Sequence, residues 1–218
     1  MAVTTHDPND LDLESYLARI DYGGPLEPSL DALKSLHLAH ATHIPFENLD
    51  ILLNRPIRLD LESLQAKLVQ GGRGGYCFEQ NLLFAAVLRR LGFFVRQLAA
   101  RVRYRTREVL PRTHMLLLVD LEDSTWLADV GFGAEGLLLP VPFGAGREAK
   151  QFAWTYRVAR DGDQWVLQSL RGDSWMDLYG FTLEAQQVVD YEVANHYTST
   201  YPASRFVQTL TVQLPSPE

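Results

Sequence analysis

The chain has 218 residues, 46% of them apolar and 11% aromatic, enough to fill real cores, and only its last few residues read as a polar, proline-rich tail. Its net charge of −7 argues against a nucleic-acid partner, because binding a phosphate backbone rests on clustered Lys and Arg, and favours a small-molecule substrate. A single cysteine excludes an intrachain disulfide and a tetrathiolate zinc site, no apolar run reaches the about 18 residues that span a bilayer, and the first residues lack a basic-then-apolar signal, so a cytoplasmic protein without a membrane partner is expected.

Apolar residues at three-to-four spacing predict helices over Leu11 to Ile20, Leu30 to His40, Leu61 to Val69 and Phe78 to Leu91. Asp60 is placed to cap the third helix, and Gly71 and Gly92 lie just beyond the ends of the third and fourth. The connections carry Gly23-Gly24-Pro25 and Ile44-Pro45-Phe46, where proline forces the preceding residue into an extended conformation. After Gly92 the pattern changes to alternation and β-branched residues, predicting strands over Phe94 to Tyr104, His114 to Leu121, Thr125 to Val130, Trp154 to Ala159 and Trp165 to Leu170. Asp161-Gly162 signals a hairpin between the last two, and a helix is expected again near Tyr191 to Tyr197. The expected class is α+β, helices first and a sheet or barrel second.

Cys77 follows the glycine-rich run Gly71-Gly72-Arg73-Gly74-Gly75-Tyr76 and opens the fourth helix. Unpaired backbone N–H groups and the positive end of the helix dipole favour a thiolate there and can stabilise an oxyanion, and glycines let a substrate approach. The alternative is a buried structural cysteine, although such residues sit in apolar stretches rather than beside Arg73, Glu79 and Gln80. Among six histidines, His6 lies near the terminus, His37, His40 and His43 have a metal-like spacing but read better as packed or partly exposed helix residues, and His196 falls in the late helix. His114 opens the apolar run Met115 to Val119, a buried-strand pattern that holds an imidazole at a sheet rim. Asp129 is enclosed by apolar residues in Leu127-Ala128-Asp129-Val130-Gly131, where it either pairs with an imidazole or closes a turn through its own backbone. Arg101, Arg103, Arg105 and Arg107 alternate, so in a strand they share one face; that face is either merely solvated or meets phosphates.

Together, Ile44-Pro45-Phe46-Glu47-Asn48-Leu49, Arg73-Gly74-Gly75-Tyr76-Cys77-Phe78-Glu79, His114, Asp129-Val130-Gly131-Phe132-Gly133 and Ser199 to Phe206 resemble the arylamine N-acetyltransferases nearly end to end. The resemblance implies a Cys77–His114–Asp129 triad in a cysteine-protease-like arrangement, with a helical domain over 1–92 carrying the cysteine and an antiparallel β-barrel domain over 93–189 carrying the histidine and aspartate. It assigns 190–218 to an interdomain helical segment and the start of a third domain that is mostly missing, which would leave apolar surface favouring a homo-oligomer or a partner that takes that domain's place. Acetyl-coenzyme A is the implied donor, with Thr113, Phe132, Gly133 and Phe206 lining its site and no metal. The implied acceptor is an arylamine, arylhydrazine or N-hydroxyarylamine, acetylated through acetyl-Cys77 by a ping-pong route. A cysteine hydrolase, a transglutaminase-like acyltransferase, or a binding form with an inert Cys77 are the alternatives.

Overall fold

The computed structural model describes residues 10–106 and 108–217, so that His6 and Arg107 lie outside the described residues. Helix α1 (Leu13–Arg19) starts at Asp12, whose carboxylate accepts the Ser15 N–H at 3.0 Å. Helix α2 (Leu30–His43) is capped by Ser29 and runs three residues beyond the expected His40. It stops at Ile44, which is extended (φ −109°, ψ 108°) because Pro45 follows. Strand β1 (Phe46–Glu47) and a short helix α3 (Leu49–Leu52), which periodicity did not signal, come next.

Helix α4 (Leu61–Leu64) is capped by Asp60, as expected, and continues as a π-helical turn over Gln65–Gln70 before Gly71 ends it. Helix α5 (Cys77–Arg90) begins one residue ahead of expectation. Glu79 reaches back so that its Oε2 accepts the Tyr76 N–H at 3.1 Å, which fixes Cys77 as the first helical residue. Gly92, at φ +90°, turns the chain into the sheet.

Eight antiparallel strands follow in the order β5-β4-β3-β2-β9-β8-β7-β6. They are β2 (Phe94–Val102), β3 (Arg112–Leu121), β4 (Ser124–Ala128), β5 (Val141–Pro142), β6 (Glu148–Gln151), β7 (Trp154–Asp161), β8 (Gln164–Arg171) and β9 (Ser174–Ala185). The sheet curls until the segment after β5 meets β7, where the Gly146 N–H donates to the Val158 carbonyl at 2.9 Å, so that it nearly closes into a barrel. The β7–β8 hairpin turns at Gly162 (φ +56°), as expected. The same Gly-Asp turn recurs at Gly172 (φ +57°) and launches β9, the long strand that sequence periodicity missed and that lies between β2 and β8. Helix α6 (Val188–Thr200), helix α7 (Arg205–Gln208) and β10 (Val212–Gln213) complete the order.

Strand β3 explains the uninterrupted apolar run after His114. Met115, Leu117 and Val119 join the core under the helices, whereas Leu116 and Leu118 point into the barrel. Both faces are buried, so neither alternates to polar, and full burial of each such side chain contributes roughly 2 kcal/mol. Tyr76, Phe78 and Leu83 of the α5 segment pack against the first face, which seats α5 directly on the sheet.

The alternating arginines do not form a strand face. Strand β2 shifts register between Ala100 and Arg101 and ends at Val102, and the chain then turns through Arg105 at φ +56°. Arg101 donates to the Leu110 carbonyl, and Arg103 pairs with Asp161 (2.6 Å) and Asp177 (3.2 Å). The bulge and the turn rotate successive side chains to different partners.

Candidate active site

Cys77 lies at the start of α5, 3% exposed, and its Sγ–H donates to the Thr113 carbonyl at 3.6 Å. The neighbouring loop approaches closely: a Cβ on Gly131 would sit 2.8 Å from the Cys77 Cα, so only glycine lets the 129–133 segment pass the thiol. His114, one residue along β3 from Thr113, is buried and uses Nε2–H to donate to Asp129 Oδ2 at 2.7 Å. That leaves Nδ1 for the Cys77 side chain, whose interaction with the ring adds to that of Asp129.

Asp129 has no solvent exposure, yet each oxygen is paired. Its Oδ1 accepts from Asn81 Nδ2 (2.9 Å) and from the Gly131 N–H (2.9 Å), and its Oδ2 from His114. Both sequence alternatives for Asp129 are therefore realised at once, an imidazole partner and a backbone turn. Burial alone would raise its carboxyl, but His114, Asn81 and Gly131 hold it below the ordinary carboxylate value. Burial likewise works against the His114 imidazolium, and Asp129 and Cys77 outweigh it, raising the ring to about 10.

Cys77 and His114 share the wall of a cavity of about 300 Å³. Thr113, Phe132, Gly133 and Phe206, the positions tied to coenzyme binding by resemblance, line the same cavity. Phe132 meets the His114 ring edge-on with centroids 5.1 Å apart, and Phe206 packs against Phe46 (5.9 Å) and Tyr76 (5.7 Å). A Cβ on Gly133 would stand 2.3 Å from the Phe46 ring, so this glycine is what allows Phe46 to form the cavity wall. The chamber's exposed wall is mostly apolar, with Phe46, Phe132 and Phe206 beside one thiol and one imidazole and with Thr113, Thr198, Ser204 and Arg205 at other points of the lining, which suits an aromatic ligand beside a nucleophile.

The N-acetyltransferase family model matches residues 29–218, and the arylamine N-acetyltransferase of Escherichia coli K12 is 46% identical over 195 residues, covering 89% of this chain and 69% of that protein. The chain belongs to the arylamine N-acetyltransferases. It is an acyltransferase, with the helices-then-barrel α+β fold of that family. The Mycobacterium tuberculosis arylamine N-acetyltransferase is 42% identical over 207 residues, 92% of this chain and 73% of the relative. The solved structure from M. tuberculosis superposes with a TM-score of 0.92 at 41% identity, covering 95% of this chain and 79% of that one. The arylamine N-acetyltransferase of Mycobacterium marinum, solved in complex with CoA, gives 0.90 at 38% identity, with 94% of this chain and 78% of that one covered.

In this arylamine N-acetyltransferase several residues near the site escaped sequence reasoning. His37 and His40, expected as packed or partly exposed, are wholly buried. His37 donates from Nδ1 to the Leu138 carbonyl (3.0 Å) and accepts the Asp129 N–H on Nε2 (3.1 Å), so it braces the aspartate from behind. His40 donates from Nε2 to Gln80 Oε1 (2.7 Å) and accepts from the Tyr16 hydroxyl, while Gln80 Nε2 donates to the Pro45 carbonyl beside the glycine loop. Burial lowers both rings, His37 to about 4 and His40 to about 3, consistent with neutral tautomers fixed by these partners. The signal was present: Leu33, Leu36, His37 and His40 fall on one helical stripe, the buried one. Tyr179 packs tilted (47°) against His114 with ring centroids 4.7 Å apart, and its buried hydroxyl lies near Asp129. No helix among the described residues is long and apolar enough to cross a membrane.

Proposed function

We propose that Cys77, His114 and Asp129 act as a catalytic triad that moves an acetyl group from acetyl-coenzyme A to an arylamine, arylhydrazine or N-hydroxyarylamine. The Cys77 sulfur, its proton already held on the raised His114 ring at Nδ1, attacks the thioester carbonyl, and coenzyme A leaves as the thiol, taking that proton. Exchanging one thioester for another leaves the step close to thermoneutral. The acceptor nitrogen then attacks acetyl-Cys77, His114 takes the proton released, and the Cys77 sulfur is expelled. Backbone N–H groups in the first turn of α5 stabilise the oxyanion at both stages. Asp129 keeps the proton on Nε2 and stabilises the imidazolium.

The observation that carries this reading is the 2.7 Å bond from His114 Nε2 to a fully buried Asp129, which orients the ring toward Cys77 in the shared cavity. Thr113, Phe132, Gly133 and Phe206 contribute the walls that receive the acetylated end of the donor. We further take 1–92 and 93–189 as the units that supply the thiol and its two partners, and 190–218 as the segment that brings Phe206 to the cavity. The test is intact mass after brief exposure to acetyl-coenzyme A, followed by addition of 4-aminobenzoate. One added acetyl group, absent in Cys77→Ser and discharged by the amine, is expected; acetylation that survives in Cys77→Ser would refute the assignment.

A further inference from the structure

A second and more polar cavity, of about 550 Å³, opens beside the first. Tyr104, Gly133, Ala134 and Arg205 line both, so the two adjoin. Arg105, Arg171 and Arg205 line the second together with Glu135. Glu135 is fully engaged: it accepts from Arg171 Nε (3.0 Å), Ser169 Oγ (2.8 Å) and the Tyr104 hydroxyl (3.2 Å). Its charge thus cancels that of Arg171, and Arg105 and Arg205 are left with no carboxylate partner among the described residues.

We infer that Arg105 and Arg205 form a subsite for the phosphate groups of the acyl donor, in the basic cavity that adjoins the Cys77 chamber. This rests on the donor reading above and extends it to residues outside the cavity walls named there. Two unpaired arginines facing one cavity in a chain of net charge −7 concentrate positive potential at one place. Arginine pairs bidentately with phosphate oxygens. Arg105 sits at φ +56°, a left-handed conformation that costs an arginine about 1 kcal/mol relative to glycine, and its guanidinium rests 5.0 Å over the Tyr104 ring. A turn alone would be better served by glycine or asparagine; the strained arginine instead keeps a cation at the cavity wall. In a coenzyme thioester the phosphates lie at the far end of a flexible arm, which matches a narrow apolar chamber at the thiol beside a wide basic one.

The test compares acetyl-coenzyme A with S-acetylpantetheine, which has the same thioester and arm without the nucleotide phosphates. Arg105→Gln should raise KM for acetyl-coenzyme A about tenfold, and the Arg105→Gln/Arg205→Gln double variant further, with kcat at saturation retained. KM for S-acetylpantetheine should not change in Arg105→Gln, and added salt should weaken acetyl-coenzyme A binding in the wild type more than in the double variant. An acetyl-coenzyme A KM unmoved by both variants overturns the subsite, as does an equal rise for both donors, which would mark a packing role. If only the binding of an aminobenzoate acceptor weakens, the arginines belong to an acceptor carboxylate and the subsite is again overturned. Wild-type protein acetylated by neither donor would instead remove the donor reading itself, and the subsite with it.

Discussion

Asn48 holds Phe206 in place from 158 positions away: its Nδ2 donates to the Phe206 carbonyl at 2.7 Å. The same side chain donates to the Thr209 carbonyl (2.9 Å) and accepts the Thr211 N–H (2.7 Å), while β1 pairs with β10 alongside. One amide therefore pins α7 and the following segment over the Cys77 cavity. Asn48→Ala should lower stability by about 2–4 kcal/mol, since three partly buried backbone groups lose their partner. Hydrogen exchange in 205–213 should speed up more than in α5, and unchanged exchange there would show that β1–β10 pairing suffices.

His114 and Asp129 give a pH signature of known sign. The His114 ring is raised from 6.5 to about 10, so its contribution to stability is complete below pH 6.5 and is lost as pH rises through about 10. Asp129 is lowered, so its contribution holds above its ordinary value and is lost as pH falls through the lowered one. The stability advantage of wild type over Asp129→Asn should therefore shrink between pH 7 and 10 in urea titrations. Acetyl transfer by Asp129→Asn should fall by about 10²–10⁴-fold through loss of tautomer control. A variant with wild-type turnover would remove Asp129 from the mechanism.

Glu79 predicts a second pH effect close to the thiol. Burial raises its carboxyl to about 7 against the pull of Lys67, whose Nζ lies 2.8 Å from both Glu79 and Asp50. A raised acid favours the protonated folded state, so stability is lost as pH climbs from about 4.5 toward 7. Glu79→Gln retains an acceptor for the Tyr76 N–H and removes this titration. Denaturation midpoints of wild type relative to Glu79→Gln should drop between pH 5 and 7.5; a constant difference would mean that Lys67 compensates fully.

Gly131→Ala tests the close passage of the 129–133 segment over Cys77. The added methyl would lie 2.8 Å from the Cys77 Cα and from Asn81 Nδ2, so backbone or the Asn81–Asp129 bond must yield. A stability loss of about 1–3 kcal/mol is expected, together with a slower acetylation of Cys77 that outweighs any change in acceptor binding. Normal acetylation rates in a stable variant would show that the segment has room to move.

The sequence by itself determined the features that depend on a few neighbouring residues. The Asp60 cap, the turn at Gly162, the stop of α2 before Pro45 and the placing of Cys77 at a helix start all follow from backbone sterics and hydrogen bonds spanning three or four positions. The motifs around Cys77, His114 and Asp129 carried the family as well. Tertiary structure alone decided who pairs with whom. It put His37 behind Asp129 across 92 positions, Asn48 under Phe206, and β9 between β2 and β8 despite Gly180 interrupting its pattern. It also ended β2 at Val102, so that alternating arginines parted, Arg103 to aspartates and Arg105 to an open cavity. Periodicity reports only that a side chain is buried or faces one side. Its partner depends on packing between distant segments, which no local pattern encodes.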